Sequence, residues 1–340
     1  MRDNKPEDLT MADIARMAGV SESTVSRALA GSELVAEKTR KRITELASAA
    51  EYTVNEGARS LRLKKTKTIE VVIPIEHHHR QHISDPFFLD MLGALADAIA
   101  DRDHDMLLSK IPPWATDKRS NALVSGRADG VIIIGQGRRR DQLRDFTNAH
   151  RRVVVWGAHI DNEDYTIVGS DNRDGGRLAA AHLLSLGRKR IAFLGDVSLP
   201  EIKLRHAGYL DALQQAGVTA DEGLTFNAPF DSEEAFAAAK ILLDKKLDFD
   251  AIFAASDVIA MSAIAALGNA EMKVPQDVSV VGYDDIVGAA WYSPALTTVS
   301  QSIHEGGEAL VRSLFARING EATASVILPP KLIIRQSCGA

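Results

Sequence analysis

LTMADIARMAGVSESTVSRALA (9–30) is the stretch on which the reading turns. Met11, Ile14, Ala15 and Ala18 recur at the spacing of one helix face. Thr10 stands at the cap position, with Asp13 three residues on as a weak capping-box partner. Gly19 ends that helix. Ser21 is a natural N-cap for a second one, over about Glu22 to Leu29, whose Val25, Ala28 and Leu29 face inward beside Val20. Helix, short turn with glycine, helix predicts a helix-turn-helix. A small three-helix bundle with an ordinary polar face would read the same over these residues alone, so the flanks must decide.

The outward positions of the second helix are Glu22, Ser23, Ser26 and Arg27. A helix of this kind can enter the major groove of DNA, with its N-terminal side chains at base edges. There Arg27 could donate two hydrogen bonds to guanine. Glu22 could accept from a cytosine amino group or repel phosphates at wrong sites. Ser21, Ser23 and Thr24 are candidate phosphate or base contacts. A third helix is expected over about Glu37 to Ala50, with Ile43, Leu46 and Ala47 inward and Val35 packing ahead of it. Its Lys38, Arg40, Lys41 and Arg42 suit backbone positioning. In YTVNEGARSLR (52–62), Asn55 could cap a short helix carrying Arg59 and Leu61. A leucine among small residues suits a minor-groove wedge, and a plain linker is the competing reading.

Charge is distributed to match. Residues 9–67 hold 11 Lys/Arg against 7 Asp/Glu, about +4, which leaves about −10 elsewhere in a chain of net charge −6. A basic N-terminal piece on an acidic protein fits nucleic-acid binding at that end only. The 340 residues, 45% of them hydrophobic, suggest two or three domains. No apolar run reaches 18 residues, so no membrane span is expected. Met1 to Leu9 is charged and lacks the apolar core of a secretory signal, so a cytoplasmic address is expected. A single cysteine, Cys338, rules out an intrachain disulfide and a cysteine-based zinc cluster and reads as a packed thiol.

From Thr66 onward strands and helices alternate. IEVVIP (69–74), HDMLLSK (104–110), GVIIIG (130–135), RVVVWG (152–157), TIVGSD (166–171), RIAFLG (190–195), AIFAAS (251–256) and VSVVGYDD (278–285) are β-rich. Helical stretches such as 88–102, 174–187, 203–216, 232–245 and 257–270 lie between them. This predicts parallel sheets with helices on both faces, and too many strands for one small sheet. Two doubly wound lobes with a cleft between them follow, and ligand-facing loops belong at the C-terminal strand ends. Gln136, Trp156, Ser256 and Asp284 lie at such ends. Arg205 is read as opening a helix, and Phe230 as lying in a loop beside Asp231. Acids, an arginine, an amide and flat rings are what a polyhydroxy ligand requires. Each residue has a plain structural alternative as a cap or turn former, Asp257 above all as an N-cap.

Other signals fall away. GQG (135–137) follows a strand, but the third glycine of a dinucleotide fingerprint is Arg140. His77, His78, His79 and His82 lack a regular ligand spacing, so neither metal nor any other cofactor is expected. Trp114 has no identifiable partner. No nucleophile or acid/base pair has an activating partner, so an enzyme is not expected.

LTMADIARMAGVSESTVSRALAG, VAEKTRKRI and YTVNEGARSLR followed by TKTIEVVIP resemble the lac-repressor/gal-repressor family. The resemblance continues through SDPFFLDMLGAL, GSDNRDGGRLAAAHLLSLGRKRIAFLGD, ASDVIAMSAIAAL, VPQDVSVVGYDDI and SPALTTVSQ, over nearly the whole chain. It implies a dimeric repressor with a periplasmic-binding-protein-like core. The expected layout is a helix-turn-helix headpiece over 1–53, a hinge helix and linker over 54–66, and an effector-binding core over 67–340. In that core, about 67–169 and 300–327 would form one lobe, and about 170–299 and 328–340 the other. By resemblance, base contacts fall on Glu22, Ser23 and Arg27, and the minor-groove wedge on Leu61. Effector contacts fall on Phe87 and Phe88, then Trp156, Arg205, Phe230, Ser256 and Asp284, with Gln136 placed by its strand end. Three residues depart from the family: Val54 for a proline before the hinge, Glu70 for a small residue in the first core strand, and Ala36 for a serine cap. The implied partners are palindromic double-stranded operator DNA, a small effector, most readily a sugar, and a second copy of the chain. A solute-binding receptor without DNA function is the alternative.

Overall fold

The computed structural model describes residues 9–50, 52, 66–75, 81–112, 114, 121–160 and 163–340. The chain separates into two compact units, Met1–Thr66 and Lys67–Ala340.

The first unit holds α1 (Met11–Ala18), α2 (Glu22–Leu29) and α3 (Glu37–Ala49). Thr10 and Asp13 cap α1 reciprocally, the side chain of each bonding the other's backbone N–H. Gly19 ends α1 in the left-handed conformation, φ 62°, where a Cβ would be strained. Ile14, Ala18, Val25, Ala28, Val35 and Ile43 form the small buried core. The Arg42 guanidinium donates to the Ala18 carbonyl and so ties the end of α1 to α3. Ala36 gives α3 no side-chain cap.

The second unit contains two six-stranded sheets. The first is built from β1 (Thr68–Val72), β2 (Asp105–Ser109), β3 (Gly130–Ile134), β4 (Val153–Trp156), β5 (Ile167–Ser170) and β11 (Val326–Leu328). Their order is β11-β5-β4-β3-β1-β2, with every pairing parallel. The second is built from β6 (Ile191–Leu194), β7 (Thr225–Phe226), β8 (Ala251–Ala254), β9 (Ser279–Asp284), β10 (Thr297–Ser300) and β12 (Lys331–Ile333). Their order is β12-β10-β9-β8-β6-β7, parallel except where β12 meets β10. The eight stretches read as strands are β1 to β6, β8 and β9. Central strands buried on both faces read as continuous apolar runs, which is why GVIII and AIFA stood out.

Helices cover the sheets. On the first lie α4 (Pro86–Ala100), α5 (Arg140–Ala149) and α11 (Ile303–Ile318); Leu95 and Ile99 of α4 and Leu310 and Leu314 of α11 share one core. With the second go α6 (Asn172–Ser185), α7 (Pro200–Gln215), α8 (Ser232–Asp244), α9 (Asp257–Asn269) and the short α10 (Val287–Trp291). The chain passes between the sheets three times, after β5, after β10 and between β11 and β12.

Several readings are corrected. Arg205 does not open a helix: α7 starts at Pro200, and Arg205 lies a turn and a half in. Asp257 is not the cap of α9; Ser256 is, accepting from the Ile259 N–H, and Asp257 is the first helical residue. Trp114 has a partner, the ring of Phe146, with centroids 6.0 Å apart. Cys338 is buried, with His182 Nε2 3.2 Å from its Sγ and Thr297 Oγ1 at 3.1 Å.

Candidate functional site

The polar face of α2 is laid out by its cap. Ser21 Oγ accepts from the Thr24 N–H and lies 2.8 Å from Ser23 Oγ and 2.9 Å from Thr24 Oγ1. The Ser21 hydroxyl is therefore engaged in holding the helix start. Glu22, Ser23 and Arg27 are exposed, Thr24 and Ser26 half-buried, and Val25 and Ala28 anchor the opposite face. Lys38, Lys41 and Arg42 on α3 are also exposed. The contacts expected of Asn55, Arg59 and Leu61 lie outside the described residues.

A cleft opens in the second unit between the C-terminal edges of the two sheets. It holds about 780 Å³ of non-protein space, open mouth included. That suits a small ligand of one or two rings. Seven of the eight expected effector residues line it: Phe87, Phe88, Gln136, Trp156, Arg205, Phe230 and Asp284. Ser256 does not line it; it is buried, and its hydroxyl caps α9. The rings form a wall in the first lobe: Phe87 meets Phe88 edge-on at 5.7 Å and Trp156 at 6.3 Å. Asp85 places that wall by capping α4 through the Phe87 N–H, and Gly306 on α11 leaves the room that Trp156 fills.

Arg205 is fixed from several sides. Its Nε donates to Asn172 Oδ1 at 2.8 Å, its Nη1 to the Ala255 carbonyl, and its guanidinium stacks 3.7 Å from the Tyr283 ring centre. Its Nη1 lies 3.7 Å from Asp284 Oδ1. Gln301 Nε2 donates to the same oxygen at 2.6 Å, while Ser170 Oγ donates to Gln301 Oε1 at 3.0 Å. Asn172, Ser170 and Gln301 all sit where the chain crosses between lobes. The polar floor of the cleft is thus bonded to the segments that cross between the two lobes.

The electrostatics follow from burial. Loss of water pushes the Asp284 carboxyl up to about 7, with Arg205 opposing the rise and Asp85 adding to it. Asp257, buried beside Asp284, is also raised by burial and by that neighbouring charge, although Thr298 Oγ1 and the Ile286 N–H donate to it. Burial raises Asp85 and Glu201 as well. Gln136, which lines the cleft, is also bonded beneath it. Its amide bonds both backbone groups of Ala158 and the Tyr165 hydroxyl, so it braces the connection between β4 and β5.

Sequence reasoning missed Asp85, Glu201 and Gln301, all of which line the cleft. Glu201 precedes Arg205 by four residues, one turn of the same helix face. Gln301 follows a strand, the criterion that selected Gln136. Asp85 directly precedes the ProPhePhe that was noted. Among the described residues no three His, Cys, Asp or Glu side chains converge to hold a metal ion. No described helix is long and apolar enough to cross a membrane.

Residues 10–55 match the model for bacterial regulatory proteins of the lacI family, and residues 180–338 that for the periplasmic binding protein-like domain. The chain is 31% identical over 335 residues to the HTH-type transcriptional regulator CelR of Thermobifida fusca, covering 96% of this chain and 98% of that protein. It is 29% identical over 336 residues to the HTH-type transcriptional repressor PurR of Pasteurella multocida (strain Pm70), with the same coverage. The solved CelR–cellobiose complex superposes with a TM-score of 0.71 at 29% identity, covering 97% of this chain and 99% of that one. The lac repressor dimer bound to operator and the anti-inducer ONPF shares the fold, with a TM-score of 0.85 at 24% identity over 98% of this chain and 100% of that one. A capped helix-turn-helix joined to a two-sheet core, matched along its length by such proteins, places this chain in the lacI family of DNA-binding transcriptional regulators.

Proposed function

We propose that the protein is a cytoplasmic, homodimeric repressor whose grip on a palindromic operator is set by a sugar bound in the cleft. The observation that carries this is the Arg205–Asp284–Gln301 floor beneath a wall of Phe87, Phe88 and Trp156. Paired donors and acceptors suit neighbouring hydroxyls, and the rings suit the C–H face of a pyranose. The solved CelR complex holds cellobiose in the same fold. Phe230 closes the cleft from the second lobe, and Gln136 acts by bracing.

At the DNA end, Arg27, Glu22 and Ser23 are the exposed groups suited to reading bases; Thr24 and Ser26 suit phosphates, and Ser21 acts through its cap. Asn55, Arg59 and Leu61 belong to the proposed hinge over 54–66, between a headpiece over 1–53 and the core over 67–340. Two copies would span two half-sites related by their two-fold axis. Sugar can shift operator affinity only through unequal affinity for the open and closed lobes, so Asn172, Ser170 and Gln301 are the groups that convert occupancy into hinge angle.

The test pairs DNA selection with ligand screening. Sites recovered from random duplexes by the full chain should be palindromic, and Arg27→Ala should weaken them by about tenfold or more while flattening preference at one base pair. A sugar that raises the melting temperature should also change operator affinity. Unchanged affinity and selectivity in Arg27→Ala would refute the assignment of α2. A sugar that binds without altering DNA affinity would refute the coupling.

A further inference from the structure

The cleft is more acidic than a neutral sugar needs. Among the described residues, Asp85 from the first lobe and Glu201 and Asp284 from the second line it, against one guanidinium, Arg205. The charge of Arg205 faces Asp284 at 3.7 Å, whereas Asp85 accepts only from uncharged donors among the described residues, the Phe87 N–H and Gln81 Nε2. Arg140, the other cation near Glu201, is paired with Glu163. Among the described residues the mouth adds a single cation, Arg138, and that is paired with Asp196 at 2.6 Å. Asp85 and Asp284 belong to opposite lobes and repel each other across the space where a ligand would lie.

We propose that the effector is a polyhydroxy compound carrying a protonated amine, an amino sugar, whose ammonium sits between Asp85 and Asp284. The inference rests on the sugar reading above and sharpens it. A neutral hydroxyl could bond either carboxylate but would leave their repulsion in place. An ammonium donates to both and cancels it, and such charge-assisted bonds are about twice as strong as neutral ones. A metal ion is a poorer fit, since no set of three ligating side chains converges among the described residues. Burial raises all three carboxyls from their ordinary values, and the charge of Asp85 adds to the rise at Asp284, so an opposite charge placed between these two is favoured. Because the two carboxylates come from different lobes, the ligand's charge itself would draw the cleft shut.

Titration calorimetry on the full chain at neutral pH decides this with matched pairs: glucosamine against glucose, galactosamine against galactose, mannosamine against mannose, and the deacetylated chitin disaccharide against cellobiose. N-acetylated forms serve as neutral amides, and putrescine as an amine without a ring. At least one amino sugar should bind about tenfold or more tightly than both its parent and its N-acetyl form. Asp85→Asn, which keeps a capping side chain for α4, should bring that ratio close to one. Parents binding as tightly as amines in every pair would overturn the inference and leave the sugar reading standing. A preference that survives Asp85→Asn would overturn the placement. Binding of putrescine with no sugar bound would support the cation and sink the sugar reading, and no binding at all would sink both.

Discussion

At the scale of a single residue, Asp284 carries most of what is unusual. It sits at the end of β9 with φ 117°, 6% exposed, held by Gln301 and beside Arg205. In the unfolded chain its carboxyl titrates near 4, about three units lower than in the folded one. The folded chain therefore holds this proton more tightly. Its contribution to stability is complete below about pH 4 and is lost as pH rises through about 7. Asp257 acts in the same sense. Between pH 5 and pH 8 the melting temperature of the unliganded protein should fall, and it should fall by about 5 °C less in Asp284→Asn, since asparagine tolerates positive φ and keeps the contact with Gln301. Calorimetric scans across that range check this, and parallel slopes for the two proteins would refute it.

Among the elements, the crossing of α6 and α7 matters most. A methyl group on Gly176 would land on the Arg205 carbonyl, and one on Gly208 on the Arg173 carbonyl. Two reciprocal glycines thus let the helices approach until backbones touch, which brings Asn172 at the start of α6 to the guanidinium of Arg205. Gly208→Ala should cost about 1–3 kcal/mol of stability, read by chemical denaturation. It should also weaken sugar binding although it touches no ligand. Unaltered binding would show that the crossing does not set the arginine. The same elements explain what could be read from the sequence. The headpiece was legible because Thr10, Gly19 and Ser21 mark helix ends by local chemistry, and the inner strands because both their faces are buried. The edge strands β7, β11 and β12 are two or three residues long and carry no periodicity. Cleft residues at strand ends were legible one by one. Glu201 was not, because its role depends on α7 beginning at Pro200. The cap at Ser256 was not legible either, since a hydroxyl at a strand end suits a cap as well as a ligand.

On the scale of the whole core, an ion pair joins the lobes at the mouth of the cleft, away from its floor. Arg138, on the loop after β3, reaches across the mouth to Asp196, after β6. The arginine is 45% exposed, so this latch is screened by solvent and contributes about 0–1 kcal/mol. Arg138→Ala should therefore lower sugar affinity by at most about fivefold at low ionic strength, and the difference from wild type should vanish near 0.5 M salt. Calorimetry at both salt concentrations reads it, and a loss that persists in high salt would mean that Arg138 acts by something other than charge.

The short strands β11 and β12 carry a last consequence, for how the molecule is made. One edges the first sheet and the other the second, and both lie in residues 326–333. On a ribosome, then, neither lobe can acquire this edge strand until the chain has emerged past residue 326, long after its inner strands. A nascent chain that stalls before residue 326 would lack both strands at once, leaving both halves of the core unfinished.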